Sequence, residues 1–160
     1  MAEDVASRIA LRTLSRREAG YVAEVRRLLD AALTVMERCG TDTRPRVSDI
    51  VAEAGLSNDA FYRHFRSKDA LVAALLEDGA ARLRDYLAHQ MGKERTASGR
   101  VRRWVEGVLA QSRPDTAATT RAVLWNGGSI GDGLATGRHF ASAPLAGVLA
   151  DAAAELGSDD

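Results

Sequence analysis

The sequence predicts an all-α chain, and three observations predict it. Apolar residues recur at i, i+3, i+4 and i+7 in one segment after another. No segment alternates apolar and polar residues with the two-residue period of a strand, and no internal repeat is present. Residues that stop or start helices punctuate the pattern, among them Gly40, Gly55 and Ser57. With 160 residues, 46% of them hydrophobic, the chain can form one domain or a small domain with a packed helical body.

Residues 1–15 read as a flexible polar arm bearing Arg8 and Arg12. Ser15-Arg-Arg-Glu18 matches a capping box, which predicts a first helix over 16–39. Its inner stripe is Val22, Val25, Leu28, Leu29, Ala32, Leu33 and Met36, and Gly40 ends it. Thr41–Pro45 is a turn. A second helix starts near Arg46, where Val47, Ile50, Val51 and Ala54 form one buried face. Gly55 can take the left-handed conformation that closes it, Leu56 fills the corner, and Ser57 caps a third helix over 58–65.

That third helix has two unlike sides. Phe61 and Phe65 point inward, while Asp59, Arg63 and, to one flank, Tyr62 point outward; Ala60 leaves the backbone approachable on the other flank. A short helix with an aromatic inner edge and an outer edge of Arg, Tyr and Asn suits the DNA major groove. The next helix opens with Ser67 and Lys68, so Lys68 lies beside first-turn amides that favour an anion such as a phosphate.

A fourth helix is predicted over 69–90, carrying Leu71, Leu75, Leu76, Leu83, Tyr86 and Leu87, with Gly79 either a bend or a tolerated glycine. Gly92–Gly99 is a linker. A fifth helix runs from Ser98 or Gly99 to Ser112, with Val101, Trp104, Val105, Val108 and Leu109 on one face. A sixth covers 116–126, the glycine-rich stretch 127–137 has no assigned structure, and Ser142 caps a seventh over 143–156, with Pro144 in its first turn and Gly157 stopping it.

LLDAALTVMERCG (28–40), VSDIVAEAGLS (47–57) and FYRHFRSKDAL (61–71) together resemble the DNA-binding domain of the TetR family of transcriptional regulators. The resemblance implies an N-terminal three-helix helix-turn-helix DNA-binding domain (16–68). A long fourth helix would join it to a short helical ligand-sensing and dimerisation domain (69–160), shortened at its C-terminus because two helices that usually pair subunits are missing. It implies a DNA-binding regulator, most simply a repressor released from a palindromic operator by a small-molecule effector. It would work as a homodimer in the cytoplasm, with no enzymatic activity and no cofactor. The alternative is a helical interaction protein of the same fold that has lost DNA binding.

By resemblance, Asn58, Ala60, Tyr62 and Arg63 face base edges, while His64, Lys68 and Ser48 contact phosphates. Arg46 stands where the family often has Thr or Ser; it loses a side-chain cap and gains a phosphate contact. Asp59 departs from the family's small residue or proline; a carboxylate there repels phosphate yet can accept from a cytosine amino group. Rival readings stay open: Arg63 paired with Asp59 at i, i+4, Tyr62 serving packing alone, His64 as a surface histidine. The arm at 1–14 is either a solvated terminus or a reach toward the DNA. Met91, Trp104, Trp125, His139 and Phe140 are candidates for lining an effector cavity, or else core.

Charge and composition narrow the field. The chain has no net charge, unlike a non-specific nucleic-acid binder, and residues 43–68 carry an excess of only two positive charges. Affinity for DNA must then come from placement. Cys39 alone gives no disulfide framework and no zinc set, as fits a reducing compartment, and His64, His89 and His139 lack metal-ligand spacing. No run approaches a membrane span. Gly127-Gly-Ser-Ile-Gly131 fits G-x-S-x-G, but a helix precedes it and His139 follows too soon for a hydrolase elbow built on Ser129.

Overall fold

A computed structural model describes residues 4–127 and 133–158; the side chains of 115, 127, 133–142, 144 and 158 are outside the description. Seven helices are described, with no strand among the described residues: α1 (Val5–Cys39), α2 (Val47–Ala54), α3 (Asn58–His64), α4 (Lys68–Met91), α5 (Ala97–Ala110), α6 (Pro114–Gly127) and α7 (Gly133–Ser158).

The core grows around α1. Leu28, Ala31, Ala32, Val35 and Met36 are buried on it, and they fall on one face at helical spacing. Against that face pack Ile50, Val51 and Ala54 of α2, Phe61 of α3 with Phe65 just beyond it, Leu71, Val72 and Leu75 of α4, and Ala122 and Val123 of α6. Phe61 is the largest fully buried side chain. Behind this cluster, α7 packs on α4 and α5, with Leu87 and Met91 of α4 buried.

Local chemistry sets most boundaries. Gly40 (φ 56°) closes α1, and its N–H donates to Met36 O at 2.8 Å. Gly55 sits in the left-handed region (φ 61°, ψ 39°) and lets Leu56 N–H reach back to Val51 O at 2.9 Å. Ser57 Oγ accepts from Ala60 N at 3.1 Å, and Ser67 Oγ from Ala70 N at 3.1 Å, so α3 and α4 both start on serine caps. Arg46 offers no side-chain cap to α2; instead its backbone N–H donates to Asp49 Oδ2 at 2.8 Å. Thr96 caps α5 through Gly99 N at 3.1 Å.

Four sequence expectations give way. The arm at 1–15 is helical from Val5, so Ser15–Glu18 lies mid-helix and caps nothing: Ser is a poor helix residue but not a breaker, and nothing else interrupts the run. Val22 is exposed rather than part of the inner stripe, because α1 is exposed on every side up to Ala23 and becomes buried only from Glu24 and Val25 onward. α7 begins at Gly133 instead of 143, which places Ser142 and Pro144 inside it, and it runs past Gly157 to Ser158. Ala60 is buried beside Phe61, so its side chain belongs to the inner edge of α3. Gly128–Asp132, and with them Ser129, lie outside the described residues.

Candidate nucleic-acid interface

The surface begins with how α3 is anchored. Seven residues cannot hold a helix in water on propensity alone. Phe61 therefore fixes the inner edge, meeting Phe65 at 5.7 Å between ring centroids and Tyr62 edge-on at 5.2 Å. Arg27 of α1 ties the preceding turn, its Nη2 donating to Ala54 O and, at 3.1 Å, to Gly55 O. Those carbonyls end α2, where a cation also meets the negative end of the helix dipole.

With the inner edge fixed, the outer one is presented to solvent. Tyr62 is 58% exposed, and the Arg63 side chain 48%. Asn58 and Asp59 are exposed beside them, as are Ser48 on α2 and Arg46 just before it. Lys68 is half-buried, and its Nζ donates to Pro45 O at 3.2 Å, so it bridges the start of α4 to the α1–α2 turn. A 24-residue helix opens at that point, and its dipole gives the end a partial positive charge.

Arg63 is paired, but not with Asp59. Its Nη1 donates to Glu24 Oε2 on α1 at 3.0 Å. The same oxygen lies 2.7 Å from His64 Nε2. The His64 side chain is only 10% exposed, and the Tyr21 ring meets it edge-on at 5.6 Å. His64 thus faces α1 rather than the open surface. The Glu24 carboxyl titrates below its ordinary value: the hydrogen bond from His64 is the largest cause, and the charge and bond of Arg63 add to it against partial desolvation.

Tyr21, Glu24 and Arg27 escaped the sequence reading. A signal for them exists: Tyr21 and Glu24 share a helix face with Leu28, so a ring and a carboxylate continue the core stripe of α1 toward α3.

The effector candidates separate. Met91 is core. Trp104 is half-buried and donates from Nε1 to Leu145 O at 3.1 Å. Trp125 lies under Arg44, whose guanidinium is 5.0 Å from the ring centroid. The side chains of His139 and Phe140 lie outside the described residues. A largely apolar cavity of about 670 Å³ opens elsewhere, between α1, α4, α6 and α7, and is lined by Leu33, Leu75, Leu83, Val123, Leu124 and Leu145, with Asp78, Arg82, Thr116 and Thr120 among its polar residues. Met91, Trp104 and Trp125 do not line it. Among the described residues no cluster of His, Cys, Asp or Glu could hold a metal ion, and no helix is long and apolar enough to cross a membrane.

Comparison with known proteins shows what this helical triplet is similar to. The family model of bacterial regulatory proteins of the tetR family matches residues 28–75, from the buried half of α1 through the first turns of α4. Over this segment the chain is similar to the TetR family. A curated relative, the uncharacterized HTH-type transcriptional regulator YvdT of Bacillus subtilis (strain 168), is 40% identical over 52 residues. That match covers 32% of this chain and 26% of the relative, so the likeness spans about a quarter of that protein's length. No solved structure matches. The matched segment contains α2, α3 and the N-terminus of α4, and hence Ser48, Asn58, Tyr62, Arg63 and Lys68; Glu24 and Tyr21 lie just upstream of it.

Proposed function

We propose that the chain is a sequence-specific DNA-binding transcriptional regulator that inserts α3 into the major groove. The observation that carries this reading is the exposed pair Tyr62 and Arg63 on a helix whose opposite edge is fixed by fully buried Phe61. Arg63 is the residue suited to the two acceptors of guanine, and Asn58, Tyr62 and Asp59 flank it. Ser48, Arg46 and Lys68, with the first turn of α4, serve phosphates. Two copies read a palindrome whose half-sites lie about one helical turn apart. The protein acts in the cytoplasm as a repressor. The 670 Å³ cavity takes an apolar small molecule that prefers the DNA-free arrangement and so releases the operator.

Selecting genomic fragments with the purified protein, followed by titration at several salt concentrations, tests the reading. A shared palindromic motif supports it. Arg63→Ala is expected to cost about 1–3 kcal/mol on that motif and to relax one base pair, while Lys68→Ala weakens binding to all sequences and lowers the salt slope by about 1. Fragments without a common motif, or no retention of DNA, overturn it in favour of an interaction protein of the same fold, a reading that exposed Asp59 on the outer edge of α3 favours.

A further inference from the structure

A guanidinium that must meet two acceptors on a base edge gains from being held before it arrives, since every rotamer fixed at the interface costs affinity. Arg63 is held in this way. Its Nη1 donates to Glu24 Oε2, and that bond leaves Nε and Nη2 as an adjacent pair of donors. Glu24 is in turn fixed by His64 Nε2 on the same oxygen, and His64 is covered by the Tyr21 ring. The contacts form a chain: the Tyr21 ring edge-on to the imidazole, the imidazole on the carboxylate, the carboxylate on one corner of an arginine that remains half exposed.

We infer that Glu24 is a positioning residue that sets the base specificity of Arg63. The inference rests on the reading that α3 enters DNA, and it adds a determinant upstream of the segment that matches the family. It also makes a prediction that simple charge does not. A carboxylate near DNA repels phosphates, so its removal on electrostatic grounds alone would strengthen binding to every sequence. A carboxylate that aims Arg63 does something else: its removal lowers discrimination whatever happens to overall affinity.

The experiment compares Glu24→Ala, Glu24→Gln, Arg63→Ala and the Glu24→Ala/Arg63→Ala double variant on the selected motif, on single-base variants of it and on unrelated duplex. Alanine suits a helix interior, so α1 survives the change, and circular dichroism verifies this. Glu24→Ala is expected to keep or raise affinity for unrelated duplex while losing about tenfold of the preference at the base pair that Arg63→Ala identifies. Glu24→Gln, which retains an acceptor oxygen, restores part of that preference, and the double variant discriminates no worse than Arg63→Ala alone. Undiminished selectivity in Glu24→Ala, or tighter binding with equal selectivity, overturns the positioning role and leaves the DNA reading intact. Absence of any sequence preference in the unmodified protein sinks the DNA reading itself and takes the role of Glu24 with it.

Discussion

Arg44 lies over the face of Trp125, with its guanidinium carbon 5.0 Å from the ring centroid. The contact joins the turn between α1 and α2, the base of the helix-turn-helix, to the last turns of α6 in the body. A cation over an indole at a partly exposed site contributes about 0.5–1 kcal/mol. Arg44→Ala is expected to lower stability by about that amount in urea titration and to change the emission of Trp125. A variant with unaltered stability and emission would show that the stack contributes nothing in solution.

Gly107 of α5 packs directly against Leu87 of α4. A Cβ placed there would run into Leu87 Cδ2, and Leu87 is fully buried, so its side chain would have to shift within the core. Overpacking costs about 1–3 kcal/mol, against a gain of about 1 kcal/mol from replacing a helical glycine by alanine. Gly107→Ala is expected to lower the thermal midpoint, whereas Gly79→Ala, which meets open space on α4, is expected to raise it. Equal behaviour of the two would contradict the packing seen here.

The turn before α3 depends on Gly55 and Arg27 together. Gly55→Ala would force a side chain into the left-handed region, at about 1–2 kcal/mol, and would bring its Cβ within 3.1 Å of Arg27 Nη2. Arg27→Ala would leave the carbonyls of Ala54 and Gly55 without their charged donor, at about 1–2 kcal/mol. Because both changes act on one contact, the double variant is expected to lose less than the sum of the two. Chemical denaturation of the three variants measures this directly, and strict additivity would show the sites to be independent.

Glu24 gives the fold a dependence on acid. Its folded carboxyl titrates below the ordinary value of 4.5, chiefly through the bond from His64 and with help from Arg63. A depressed folded pKa stabilises the protein above the unfolded value, and that contribution disappears as pH falls through the folded one. Stability measured from pH 6 downward should therefore fall less steeply below about 4.5 in Glu24→Ala than in the unmodified protein. Parallel profiles would show that the carboxylate is not stabilised by these partners in solution.

The sequence discloses what short-range chemistry decides. Val47, Ile50, Val51 and Ala54 specify a helix face by spacing alone, and Gly55 and Ser57 mark the turn by conformations and bonds that reach only a few residues. Phe61 and Phe65 could be placed inside for the same reason. The edges of α1 and α7 were not legible, because the motif at Ser15–Glu18 and the serine at 142 are sound start signals only where no helix is already running. Ala60 went to the wrong side because a small side chain next to an aromatic edge carries little pattern of its own. The partner of Arg63 was hidden for a different reason. Asp59 was near in sequence at helical spacing, whereas Glu24 comes from another helix, and only the packing of α3 on α1 brings it close.

α1 reaches every other element of the central cluster: α2 and α3 on one side, α4 and α6 on the other. It also bonds directly across to both, through Arg38 to Glu53 and through Glu37 to Thr119. A protease cut between α3 and α4 would therefore not release a self-sufficient headpiece, since the fragment would carry away one wall of the interior and leave Leu71, Val72 and Val123 bare. The whole molecule should melt in a single cooperative step, and any strain imposed on the rear helices has a rigid rod through which to arrive at the front.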